Sequence, residues 1–171
     1  MNKEIKELTR EESLKYYDDD EYREEINLNY KKILVNLSGC HNIVNVSTLA
    51  AVHMLYLRDC KNIKDVSALG SVHTLYLSYC YSVVDVSALG SVHTLDLSDC
   101  KNIKDVSALG SVHTLDLSYC KKIKDIGNLR KLKKLIIKEE ILNIHLLKGL
   151  KKLIISKYCN KKMNRRIKKL K

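Results

Sequence analysis

The chain has no proline, no phenylalanine and no tryptophan, so whatever aromatic surface it presents is built from its ten tyrosines. It also lacks any apolar run near the roughly 20 residues that a membrane-spanning helix needs. The opening residues, Met1 to Glu7, lack the apolar stretch of a secretory signal, which predicts a cytoplasmic protein, with the nucleus as a second compartment. No stretch of ten residues in the middle of the chain carries helical spacing, which excludes long helices there. Nor do a nucleophile, a base and an orienting group come together at one unique place, as catalysis requires. Ser, His and Asp recur instead in three successive identical segments, the mark of structure, so the chain is read as no enzyme.

What is present is a period. Cysteine falls at Cys40, Cys60, Cys80, Cys100 and Cys120, and the string Asp-Val-Ser-Ala-Leu-Gly-Ser-Val-His-Thr-Leu starts unchanged at Asp65, Asp85 and Asp105. A fixed repeat of this length predicts a solenoid whose units bury their apolar faces only against their neighbours. In the unit from Val72 to Ser91, Leu75 and Leu77 alternate with Thr74, Tyr76 and Ser78, the period of a half-buried strand. The return path is then turns or a short tight helix such as Ser87 to Leu89. Strands one repeat apart stack in parallel at about 4.8 Å, and equivalent positions form columns. Gly70, Gly90 and Gly110 close each unit where the chain reverses, with positive φ expected.

The string Val72-x-x-Leu75-x-Leu77-x-x-Cys80-x-x-Val83 resembles the leucine-rich repeat. It recurs from Val52, Val92 and Val112 and, weakened, from Lys32, Leu132 and Leu150, about three quarters of the chain. The segment from Cys100 to Leu109 is most similar to the short, non-helical units of internalin-type proteins, with cysteine in place of asparagine. The Asp-Val-Ser-Ala-Leu-Gly strings also resemble repeat proteins of large DNA viruses, which would place the protein in a host cytoplasm. The resemblance implies a right-handed coil with one parallel β-sheet, a non-helical or 3-10 convex side and a helical N-terminal cap. It further implies a protein that binds other proteins. An F-box, which often precedes such repeats, usually carries proline near its start and is disfavoured here.

The spacing assigns Cys40, Cys60, Cys80, Cys100 and Cys120 to one interior column. Their side chains point the same way, whereas a disulfide needs opposed Cβ vectors, so a ladder of reduced thiols donating to loop carbonyls is expected. Such thiols favour a reducing compartment. Ligands in a line also suit zinc poorly, and neither metal nor cofactor is expected. His53, His73, His93 and His113 form a second column just before the strand, read as solvated stacking. Asp65, Asp85, Asp105 and Asp125 are placed to cap the tight turn that follows each.

Charge divides the chain. Residues 1–30 hold ten acids against five bases, residues 31–120 seven against seven, and residues 121–171 three against nineteen. The first segment, 1–30, reads as an acidic helical cap. Thr9 to Glu12 is a capping box opening a helix with Leu14 and Tyr17 on one face, and a second helix spans about Glu21 to Leu28 with Tyr22 and Ile26 inward. The solenoid follows over 31–159. Residues 160–171 form a basic cap or tail with Met163, Ile167 and Leu170 on one helical face. Cys159 lies one residue out of register.

Function is sought on the outward columns. One reads Asn36, Tyr56, Tyr76, Asp96, Asp116, Ile136; the next Ser38, Arg58, Ser78, Ser98, Ser118, Lys138; and beside them run Gly39, Asp59, Tyr79, Asp99, Tyr119 and Glu139. They vary while the interior repeats. The expected partner-binding residues are Tyr56, Arg58, Asp59, Tyr76, Tyr79, Asp96, Asp99, Asp116 and Tyr119, with another protein as the partner. The alternative is weak polyanion or nucleic-acid contact through residues 121–171.

Overall fold

The computed structural model describes residues 3–129, 131–138 and 151–155. Among the described residues eight strands form one sheet in strict chain order, every adjacent pair parallel. They are β1 (Lys3–Glu7), β2 (Tyr30–Asn36), β3 (Met54–Tyr56), β4 (Thr74–Tyr76), β5 (Thr94–Asp96), β6 (Thr114–Asp116), β7 (Lys134–Ile137) and β8 (Lys152–Ile155). The repeat sets the register: Leu55, Leu75, Leu95, Leu115 and Leu135 lie side by side. The chain returns through 3-10 turns at Ser47–Leu49, Ser67–Ser71, Ser87–Ser91 and Ser107–Leu109. The twenty-residue unit is thus spent on a short strand and tight turns, and the coil is thin.

The core is a stack of columns. Within one unit Val72, Leu75, Leu77, Cys80, Val83 and Leu89 are all fully buried, and the equivalent residues of the neighbouring units are buried beside them. At about 25 cal/mol per Å² of apolar surface removed from water, each such aliphatic side chain contributes roughly 1.5 to 3 kcal/mol before conformational entropy is subtracted. The later turns are each fixed by an aspartate: the Oδ1 atoms of Asp65, Asp85, Asp105 and Asp125 accept from the backbone N–H two residues on, at 2.7–2.8 Å, as Asn45 Oδ1 does from Ser47 N–H at 2.9 Å in the first.

The glycine expectation is corrected. Positive φ occurs at Gly39 (74°) and, in the equivalent position of the next four units, at Asp59 (59°), Tyr79 (64°), Asp99 (59°) and Tyr119 (63°), not at Gly70, Gly90 or Gly110. Those three serve close packing. A Cβ on Gly70 or Gly90 would lie 2.5 Å from the carbonyl oxygen of Ala88 or Ala108 in the next coil.

At the N-terminus the capping box at Thr9 is complete and opens α1 (Arg10–Asp18), followed by α2 (Asp20–Asn29). Two expectations change there. Lys3–Glu7 forms a strand that pairs in parallel with β2, so the sheet starts one strand earlier than the helices. The face that α1 turns inward carries Ser13 and Tyr16, both fully buried, while Leu14 and Tyr17 are only partly buried beside it. Tyr16 reaches the core because its hydroxyl finds the Asn27 side chain of α2 at 2.7 Å, satisfying the polar end that burial would otherwise strand. Cys159, Glu139 and the basic segment 160–171 with Met163, Ile167 and Leu170 lie outside the described residues.

Candidate protein-binding face

Alternation along each strand sends leucine inward and the variable residues outward, so the outward columns become contiguous on the sheet. Tyr56 and Tyr76 stack with ring centroids 4.7 Å apart and planes 3° from parallel. Burial pushes the Tyr56 phenol up, with Tyr76 beside it adding to the shift. The next two units place Asp96 and Asp116 in the same column. Each carboxylate accepts from the backbone N–H two residues on, Ser98 and Ser118, at 2.8 Å. Burial pushes the Asp116 carboxyl up, and the charge of Asp96 pushes the same way.

The left-handed residues stand along one side of these columns, and long cations lie over their rings. The Arg58 guanidinium sits 5.0 Å from the centre of the Tyr79 ring, and Lys138 Nζ 4.9 Å from that of Tyr119. Between them Arg58, Tyr79, Asp96, Asp99, Asp116, Tyr119 and Lys138 line a depression of about 280 Å³ floored by Ser78, Ser98 and Ser118. Eight of the nine expected contact residues are therefore close neighbours on one surface, or stacked on one another. Asp59, by contrast, sits at its turn with Lys61 at 3.3 Å.

Sequence reasoning missed Tyr81, whose ring meets Tyr79 edge-on at 6.3 Å and carries Lys101 at 4.9 Å. The signal was available. Tyr81 interrupts a column that is otherwise His41, Lys61, Lys101 and Lys121.

The two remaining columns are ladders. Cys60, Cys80, Cys100 and Cys120 donate their thiols to the carbonyls of Leu37, Leu57, Leu77 and Leu97 in the preceding unit, at 3.0–3.1 Å. Burial pushes the thiols of Cys60 and Cys80 up to about 11 and about 12, and Cys100 and Cys120 the same way. Cys40 begins the column and accepts instead from Arg10 of α1, which also donates to Asn36 O. His53, His73, His93 and His113 stack at centroid distances of 4.7, 4.7 and 4.5 Å. Parallel rings at that distance cannot both aim in-plane lone pairs at one ion, and no group of three metal-ligating side chains converges among the described residues. Among these residues, no helix is long and apolar enough to cross a membrane.

Sheet, turns and ladders together define a leucine-rich-repeat solenoid with a 3-10 return. An internalin (inlF) from Listeria monocytogenes has a similar fold, with a TM-score of 0.59 and 22% identity over 89% of this chain and 48% of that one. An internalin C2 (inlC2) from the same bacterium matches with a TM-score of 0.51 and 26% identity over 64% of this chain and 54% of that one. The chain thus spans about half the length of these solved structures. No family model matches, and no curated protein matches.

Proposed function

We propose that the protein is a non-catalytic module that binds another protein through the outward face of its sheet, with Tyr56, Tyr76, Tyr79 and Arg58 as the anchor and Asp96, Asp99 and Asp116 beside it. The observation that carries this is the Tyr56–Tyr76 stack with the Arg58–Tyr79 pair: large, rigid groups held on an exposed face where the interior repeats unchanged. Tyrosine and arginine dominate interface energetics because they bury much area and keep a polar handle. The internalin-like fold supports a protein-interaction role at the level of fold. The reduced thiol ladder supports a reducing compartment such as the cytoplasm.

The test replaces Tyr56 and Tyr76 by Ser together, checks that the thermal midpoint is retained, and measures capture of proteins from native extract. Loss of specific partners is expected; retention of every partner would refute the reading. A polyanion role for residues 121–171 has one observation in its favour: Lys133 and Lys151 continue the backbone ladder that the histidines begin. It predicts binding that weakens steeply with salt, which tyrosine-centred contacts do not show.

A further inference from the structure

Among the described residues the first strand is an open edge, and its sequence is self-complementary. Strand β1 is outermost in the sheet and reads Lys3-Glu4-Ile5-Lys6-Glu7, with Ile5 58% exposed. Leu8 N–H donates to Leu34 O, which places the even-numbered residues of this segment on the side that bonds β2. In a parallel pair the residues alternate in direction, so Lys3, Ile5 and Glu7 turn their N–H and C=O outward, away from β2. Their side chains lie on the sheet face, since Glu7 pairs in register with Leu34 while Lys6 pairs with buried Ile33. An exposed edge of this kind is a template for another strand unless something guards it.

The geometry points to a second copy of this chain as the occupant: two β1 strands pair antiparallel across a two-fold axis through Ile5, joining two sheets into one. In that register Lys3 faces Glu7 of the partner subunit, Glu4 faces Lys6 of the partner subunit, and the two Ile5 side chains meet on the axis. The residues whose backbone groups point outward are the ones that face each other, so the three pairs centred on Ile5 each exchange two hydrogen bonds. Both backbone and charge therefore select the same alignment. Slipping by one pair in either direction sets Glu4 against Glu4 or Lys6 against Lys6, and like charges directly opposite are destabilising. The charges that deter indiscriminate pairing leave one register open. Lys6 and Glu4 are already engaged, by Glu12 at 2.8 Å and Lys31 at 2.7 Å, whereas Glu7 has no ion-pair partner among the described residues. Such an interface is isologous, as two-fold dimers require. It uses the edge of the sheet and leaves the tyrosine face free.

Sedimentation velocity of the full chain over a concentration series at low salt tests this. Lys3→Glu and Glu7→Lys should each raise the dissociation constant by about tenfold or more, because each sets two like charges face to face. An equimolar mixture of the two variants should associate again, and the charge-swapped double variant Lys3→Glu/Glu7→Lys should dimerise by itself. Ile5→Pro should abolish association while leaving the thermal midpoint nearly unchanged, because the N–H it removes points away from β2. A chain that stays monomeric up to its solubility limit, or a dimer indifferent to both single charge reversals, would overturn the proposal.

Discussion

Gly70 faces the carbonyl oxygen of Ala88 so closely that a β-carbon would lie 2.5 Å from it. The contact joins the 3-10 turns of consecutive coils, and Gly90 repeats it against Ala108 at the same distance. A β-carbon on Gly110 would lie farther off, 3.1 Å from Asn128 O, in a unit that carries Asn-Leu in place of the repeat's Ala-Leu. Gly70→Ala and Gly90→Ala should therefore each cost on the order of 1 to 3 kcal/mol by overpacking, and Gly110→Ala less. Urea denaturation of the three variants checks the order. Equal losses at all three would mean that chain flexibility, not the close approach, selects glycine.

These glycines also mark where sequence reading stops. Strands, columns, turn aspartates and both ladders are legible because a period of two inside a period of twenty leaves each position one environment. Glycine carries two physical meanings, left-handed backbone and close approach, and the string alone does not separate them. The left-handed column instead runs Gly39, Asp59, Tyr79, Asp99, Tyr119, where a glycine heads the column and aspartate, tolerant of that region, fills two more places. Strand β1 was hidden for a different reason. Lys3–Glu7 has one apolar residue, so no alternation signals a strand; pairing with β2 supplies it. The stacking of Tyr56 on Tyr76 follows from the column, but the meeting of Tyr79 with Tyr81 depends on turn geometry that no period encodes.

The cysteine ladder should be chemically silent. Cys60 and Cys80 are pushed up to about 11 and about 12, so almost none of either is thiolate at neutral pH, and the whole column is buried. A bulky disulfide reagent should leave the five periodic cysteines unmodified in the native protein and label them after denaturation. Cys80→Ser shortens the side chain that reaches Leu57 O at 3.1 Å and buries a more polar hydroxyl, costing about 1 to 3 kcal/mol if the bond is lost. Rapid native labelling of five thiols would show the column to be open.

The histidine column makes stability sensitive to acid. Burial holds the His53, His73 and His93 imidazoles below their usual value; Lys32 adds to this at His53, His53 and Lys32 at His73, and His113 and His73 at His93. Their folded pKa values therefore lie below the unfolded value of about 6.5, so the unfolded chain binds more protons between the two. The stability is fully present above the unfolded pKa and is lost as pH falls through it. Urea midpoints should drop from pH 7.5 to 5.5, and the drop should shrink in His73→Gln. A midpoint that rises on acidification would contradict the sign.

Tyr79 separates folding from binding. It holds φ at 64°, a region that costs a non-glycine residue roughly 1 to 2 kcal/mol, while Gly39 takes the same place one end of the column away at 74°. Tyr79→Gly would remove that strain. It would also loosen the unfolded chain, a cost of about 0.5 to 1 kcal/mol, and lose the Arg58 contact at 5.0 Å, worth about 0.5 to 1 kcal/mol at an exposed position. These effects oppose one another, so the denaturation free energy should change by no more than about 1 kcal/mol. Partner capture should nonetheless fall, because the ring that anchors Arg58 and borders the aspartate depression is gone. If tyrosine stands there for stability alone, the variant will be clearly destabilised and its partners will be retained at temperatures where it is folded. Strain tolerated for a half-buried surface ring, with no loss on its removal except binding, is what a residue kept for recognition shows.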